Sequence, residues 1–368
     1  MSMTTLEDRV RRLADELVGS GAETGLQVAV YQDGKQVVDV VAGAADATTG
    51  RPVTPDTPFY VYSAGKAMTA TIVHLLAERG AFGEAEYDAR IADFWPEFAQ
   101  HGKQGVTIRH ALTHTAGIPG LPADVTPEEV CDWDRICARM AALEPWWEPG
   151  TKTAYHAYTF GFILGELVRR VTGRRISELL RTEIAEPLGV PGELWFGMPA
   201  AEIPRAARLE ADPRAAGFEL PADSPFWKLA PPAVNPDATF GNRTDVLQAD
   251  IPAGGKVSAR GIARLYAALL GEVDGVRLLS PERARGLTRV AYSGPDELFG
   301  MPSSWSLGLA CGRPGAAPGT QDTWFGWGGV GGSYAGMDAA TGTTLAIGKT
   351  RLSIDFETAT RITALLDG

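Results

Sequence analysis

The sequence predicts an α/β sheet domain closed by both ends of the chain around an inserted, mostly all-α domain. Near the N-terminus Leu26, Val28 and Val30, then Val37, Val38, Val40 and Val41, flank a Gln32-Asp33-Gly34-Lys35 turn, the pattern of a hairpin. Strand-like runs return at Trp305–Ala310, Gly332–Met337 and Thr343–Ile347. Between these ends, apolar residues from about 64 to 195 recur at helical spacing. The expected division is a sheet domain of residues 1–62 and 252–368 and a helical domain of 63–251, with the active site between them.

Leu6, Val10, Leu13 and Leu17 predict a first helix ahead of the hairpin. A short apolar stretch, Phe59–Tyr62, leads to Ala67–Leu76, which reads as a buried helix. Helices are then expected at Ile91–Phe98, Val106–Leu112, Pro127–Leu143, Phe160–Val171 and Ile176–Leu188. Residues 199–251 are rich in Pro, Ala and Asp with little periodicity, and a loop of that length is read as a pocket wall or lid. Ile262–Leu270 is helical again, Pro281 suits a first helical position, and a helix through Phe356 and Leu366 closes the chain.

Of 368 residues, 45 are acidic and 34 basic, a formal charge of -11 without a Lys/Arg cluster, so nucleic acid is not expected as a partner. Cys131, Cys137 and Cys311 lack metal-ligand spacing, which disfavours a disulfide framework or a zinc site. No apolar run approaches the ~20 residues that cross a bilayer. No apolar segment of signal-peptide character follows residues 1–12 before the first strand, so a secretory leader is not expected. The expectation is a cytoplasmic protein without stable membrane insertion, as monomer or homo-oligomer.

Chemistry enters at Ser63-Ala64-Gly65-Lys66, an S-x-x-K tetrad at the head of the buried helix. A serine hydroxyl is a weak nucleophile until a neighbouring base takes its proton. Residues i and i+3 share a helix face, so the Lys66 amine can reach Ser63 Oγ. To act as a base the amine must be neutral, which desolvation among Val61, Ala67 and Ala70 favours. At the first turn of that helix Ser63 would also meet unpaired N–H groups and the positive end of the dipole. A lone tetrad is short, and most S-x-x-K runs are solvated helix starts. Gly331 and Ser333 imitate a G-x-S-x-G nucleophile elbow, but Ala335 breaks it and no His follows residue 156 to complete a triad.

Four segments in order supply context: Phe59–Ala70 around the tetrad, Thr107–Gly117, Glu148–Ala157, and Phe325–Ser333 with its Trp327-Gly328-Gly329 triplet. Through them the chain resembles, over nearly its whole length, the superfamily of serine beta-lactamases, penicillin-binding proteins and family VIII carboxylesterases, most of all the esterase branch. The resemblance implies a beta-lactamase-like fold, an antiparallel sheet flanked by helices with an inserted helical domain, and an acyl-enzyme on Ser63. It puts Tyr155 in the position of the family's catalytic tyrosine, passing a proton between Ser63, Lys66 and the leaving group. The second oxyanion donor, beside the Ser63 amide, would be the backbone N–H of Val330. Which of Lys66 and Tyr155 is the acylation base stays open.

Beta-lactamases of this superfamily carry an Asn two residues after the tyrosine and a K-T-G third motif, where this chain has Ala157 and Trp327. An amide hydrogen bond and a cationic anchor are therefore missing, which favours an uncharged ester over a penicillin-like carboxylate. Trp327 and Trp227 are expected to line the substrate pocket, with Gly328 and Gly329 letting substrate approach the backbone. His156 is expected beside the substrate site in a supporting role, because neighbours in extended chain point apart and the amine already serves as base. His110 and His114 lie four apart without an H-E-x-x-H pattern and read as structural, and neither metal nor cofactor is expected. The implied function is a serine carboxylesterase for small to medium uncharged esters, with weak beta-lactam cleavage open. Alternatives are an acyltransferase or D-amino-acid-peptidase-like enzyme using the same acyl-Ser63, or a non-catalytic binding protein of the same fold.

Overall fold

Period-two alternation along β1 (Gly25–Gln32) decides the centre of the molecule, because this strand is buried on both faces. The computed structural model describes residues 5–216, 220–316 and 322–367. Asp33 and Gly34, both at positive φ, make the tight turn into β2 (Lys35–Asp46). A short β3 (Arg51–Pro52) follows, and the remaining strands of this sheet come from the last third of the chain. They are β4 (Tyr292–Pro295), β5 (Pro302–Trp305), β6 (Ala310–Cys311), β7 (Trp324–Gly328), β8 (Tyr334–Asp338) and β9 (Thr343–Lys349). The order is β3-β2-β1-β9-β8-β7-β6-β5-β4, with neighbours antiparallel.

The register Val28 to Ile347 and Val30 to Leu345 puts one apolar set on one face. There it packs against Val10, Leu13 and Leu17 of α1 (Leu6–Gly19) and Ala359 and Ile362 of the C-terminal helix Glu357–Ala364. The intervening residues Ala29, Tyr31 and Ala346 face the main core, which the helix Ala259–Leu270 covers. The fold is thus a central antiparallel sheet flanked by helices, with further helical insertions between its halves.

The tetrad helix, α2 (Lys66–Glu78), is buried from Lys66 to Ala77, as expected of a helix that is apolar all round. It packs on α3 (Thr159–Thr172). Residues 252–255 thread between the starts of both helices, so close that a Cβ on Gly65 would lie 2.3 Å from the Gly255 nitrogen, and one on Gly161 2.1 Å from the Ala253 nitrogen. Side chains at either position would push this segment away.

Several predicted elements are shorter or divided. The helix from Ile91 stops at Phe94, because Pro96 drives Trp95 out of helical geometry to φ -128°, ψ 80°. Pro127–Leu143 is two helices, Pro127–Cys131 and Trp133–Ala142, parted at Asp132, whose carboxylate accepts the Arg135 N–H as an N-cap. Ile176–Leu188 begins α-helical to Leu179 and continues as a π-helical stretch to Ala185. Trp305–Ala310 is not one strand: the chain turns between β5 and β6, with Gly308 at φ +98°. Residues 199–251 contain short helical turns at Phe226–Leu229, Ala238–Gly241 and Thr244–Gln248, and Glu210–Ala211 pairs with Arg351–Leu352. Among the described residues, no helix is long and apolar enough to cross a membrane.

Candidate active site

Ser63 is delivered by a local distortion. Tyr62, just before it, sits at φ +47°, a conformation that costs a bulky side chain on the order of 1–3 kcal/mol. Its neighbours hold it there: the ring stacks on Tyr60 with centroids 4.3 Å apart, and the phenol donates to the Asp237 carbonyl. The chain then makes a 3-10 turn, Tyr62–Gly65, before α2 begins at Lys66. Ser63 therefore precedes the α-helix rather than occupying its first turn. In a 3-10 turn residues i and i+3 eclipse, which stacks the lysine over the serine with Nζ 3.0 Å from Oγ.

Lys66 is fully buried, and burial drives its amine well below the ordinary lysine range. Nζ also meets the carbonyls of Ala157 at 2.7 Å and Ala253 at 2.8 Å. Carbonyls only accept, so a neutral amine spends its two N–H bonds on them and turns its lone pair to Ser63 Oγ–H. On the other side the Tyr155 hydroxyl donates to Ser63 Oγ at 2.5 Å. Burial raises the Tyr155 phenol above its usual range, so it stays protonated. Tyr155, Ser63 and Lys66 thus form one hydrogen-bonded line.

Among the described residues, neither the Ser63 nor the Val330 amide donates a hydrogen bond within the protein. The loop carrying Val330 lies directly on the serine turn, since a Cβ on Gly329 would stand 2.0 Å from the Val61 carbonyl oxygen. A Cβ on Gly328 would fall 2.8 Å from the ring of Phe356, an exposed side chain with room to shift. The cavity at Ser63 measures about 40 Å³ and is walled chiefly by Tyr60, Tyr62, Tyr155, Tyr158, Phe226 and Pro236. Val330, 41% exposed, stands at its rim and also borders an open groove of about 670 Å³.

Trp227 lines that outer groove and not the cavity at Ser63, where its neighbour Phe226 stands instead. Trp327 lies behind the reacting groups: its indole donates to the Gly308 carbonyl at 2.9 Å, and its ring stacks on Trp305 and leans on Tyr155. His156 is buried outside the cavity lining, its Nδ1 held by the Ala154 carbonyl at 2.7 Å. Desolvation lowers that imidazole to about 4. His110 caps its own helix through Thr107, whereas His114 packs between Phe160 and Trp305, so the two rings do separate work. Among the described residues no cluster of three or more His, Cys, Asp or Glu side chains is placed to hold a metal.

Sequence reasoning missed the Tyr62 distortion and the Ala157 and Ala253 carbonyls, because backbone groups carry no residue signature. It also missed Asp296, whose carboxylate accepts the Tyr155 N–H at 2.8 Å from 141 residues away.

A family model described as beta-lactamase matches residues 10–367. The chain is 36% identical over 344 residues to Esterase/beta-lactamase LipL of Mycobacterium tuberculosis, covering 89% of this chain and 77% of that protein. A solved family VIII carboxylesterase superposes with a TM-score of 0.84 at 32% identity, covering 97% of both chains. A penicillin-binding protein homologue from Caulobacter crescentus gives 0.84 at 31% identity, covering 98% of this chain and 96% of that one. With Ser63, Lys66 and Tyr155 joined by hydrogen bonds at the matching motifs, the chain belongs to the beta-lactamase family, within the superfamily it shares with penicillin-binding proteins, and is a serine hydrolase.

Proposed function

We propose that this enzyme is a carboxylesterase that hydrolyses small to medium uncharged esters through an acyl-enzyme on Ser63. The observation that carries the reading is the double contact on Ser63 Oγ, from Lys66 Nζ at 3.0 Å and the Tyr155 hydroxyl at 2.5 Å. Ser63 Oγ attacks the ester carbonyl carbon while its proton passes to the lone pair of Lys66. The oxyanion is held by the amides of Ser63 and Val330. Collapse breaks the bond to the alcohol oxygen, which takes the Tyr155 proton, and the Lys66 ammonium returns a proton to Tyr155. Water then attacks the acyl-enzyme with the roles reversed and releases the acid.

An ester rather than a charged lactam is supported by a cavity lining without a charged side chain. Trp327, buried and committed to Gly308, offers no cation at the third motif, and Ala157 offers no side-chain amide. Similarity to proteins described as an esterase/beta-lactamase and a family VIII carboxylesterase supports the same reading. The cleft is read as lying between a body of residues 1–62 and 252–368 and one of 63–251, since Gly254 and Val330 meet Tyr155, Tyr158 and Phe226 around Ser63.

The test is hydrolysis of p-nitrophenyl esters from acetate to decanoate by wild type and Ser63→Ala, with nitrocefin alongside. Fast turnover of short chains that disappears in the variant, with little nitrocefin cleavage, is the expected result. Inactivity on every ester would reject the assignment.

A further inference from the structure

The backbone at Tyr155 is gripped from two sides by side chains that the acyl-transfer chemistry does not use. From the sheet edge, the β4–β5 hairpin turns at Asp296, a carboxylate only 4% exposed. Its Oδ1 accepts the N–H groups of Leu298 and Phe299 at 2.9 and 3.0 Å, which satisfies the turn. Its Oδ2 is left for the Tyr155 N–H, at 2.8 Å. The next residue, Glu297, donates its N–H to the Thr153 carbonyl at 2.9 Å.

From the opposite side comes His114, at φ +57°. Its carbonyl accepts the Ala154 N–H at 3.3 Å and the Thr153 hydroxyl at 3.1 Å, and its Nδ1 accepts the His156 N–H at 3.0 Å. Three consecutive amides, at 154, 155 and 156, are thus tied to acceptors from two distant segments. A buried carboxylate is costly to desolvate, and here its compensation is spent partly on the residue that touches the nucleophile.

We propose that Asp296, assisted by His114, is a positioning residue for Tyr155: it fixes the reach of the phenol to Ser63 Oγ and so governs how well the leaving group is protonated. This rests on the reading of Tyr155 as proton donor given above. A misplacement of about 1 Å can cost about a hundredfold when a catalytic group must meet a reacting atom.

Asp296→Asn leaves one oxygen for the turn and presents an amide NH2 to the Tyr155 N–H, donor against donor. With the acyl group held constant, kcat/KM is compared for the p-nitrophenyl and ethyl esters. Nitrophenolate departs without a proton, whereas ethoxide needs one. Asp296→Asn is expected to lower the ethyl ester by about 10- to 100-fold and the p-nitrophenyl ester by less than about threefold. Fluorophosphonate labelling of Ser63 should proceed at the wild-type rate. Tyr155→Phe, run alongside, should lose the ethyl ester still more selectively.

Equal or no losses in Asp296→Asn, with the selective loss retained in Tyr155→Phe, would overturn the positioning role and leave the catalytic reading standing. No selectivity in Tyr155→Phe would overturn both. Should Asp296→Asn not fold, His114→Asn supplies an oxygen where Nδ1 stands and tolerates a left-handed backbone, whereas His114→Ala does neither. Better retention of the ethyl ester in His114→Asn than in His114→Ala supports the role, and equal selectivity in the two contradicts it.

Discussion

Lys66 and Lys256 share a buried setting but differ in what completes it, the Ser63 hydroxyl for Lys66 and the nearby charge of Asp250 for Lys256. Both are fully buried. Lys66 Nζ lies 5.0 Å from the Tyr155 ring and Lys256 Nζ 4.7 Å from that of Tyr60. Each donates to two backbone carbonyls, Ala157 and Ala253 for Lys66, Phe196 and Ala249 for Lys256. Burial lowers both amines, Lys256 to about 7. Only Lys66 has a hydroxyl at its third position, Ser63 Oγ. In the proposed mechanism, burial beside two carbonyls favours the neutral amine, and the hydroxyl next to Lys66 lets that amine serve as base. Lys349 shows the third outcome, a buried lysine paired with the Glu23 carboxylate.

The largest effects should fall on one lysine alone. Ser63→Ala and Lys66→Met are each expected to cost about a thousandfold or more in kcat/KM, because nucleophile and base act as a unit. Lys256→Met should stay within about twofold of wild type in the same p-nitrophenyl ester assay, since its amine touches no reacting group. Comparable losses at both positions would erase the distinction. Lys66→Arg sharpens it: a guanidinium keeps its charge at any working pH, so labelling of Ser63 by a fluorophosphonate should slow by about 10²-fold or more.

A pH profile separates the pair more finely. A base with a lowered amine makes kcat/KM rise with pH and level off well below 10.5, in wild type and in Lys256→Met alike. Stability reports the other lysine. Lys256 is about 7 in the fold against an ordinary value of 10.5, so between these pH values the unfolded chain holds a proton that the folded chain lacks. Its stabilising contribution is complete above 10.5 and is lost as pH falls through 7. Urea unfolding of wild type and Lys256→Met from pH 7 to 10 should differ in slope by about 1.4 kcal/mol per pH unit.

Legibility in the sequence followed the range of the interactions. The N-terminal hairpin and α1 were visible because alternation and helical spacing are local, and Asp33-Gly34 fits a turn with two positive φ angles. The edge strand Tyr292–Pro295 and the interior strand Trp324–Gly328 were not, since Gly, Pro and Trp at those positions carry little strand signal and pairing partners supply the order. In the site, Ser63 and Lys66 announced themselves by spacing, whereas Tyr155 and Val330 were placed by resemblance. The direction proposed for the hydrogen-bonded line required the two carbonyls at Lys66, and Trp227 was displaced to the outer groove because Phe226 takes the inner position.

The central claim is that Lys66 is neutral when it faces Ser63. Carbon-13 NMR of lysine Cε in wild type, assigned with Lys66→Met and Lys256→Met, reads its protonation directly. The account predicts a Lys66 signal that titrates well below 10.5, with a midpoint matching the rising limb of kcat/KM. A Lys66 that stays protonated up to about 10 while the enzyme is fully active at pH 7 would contradict it.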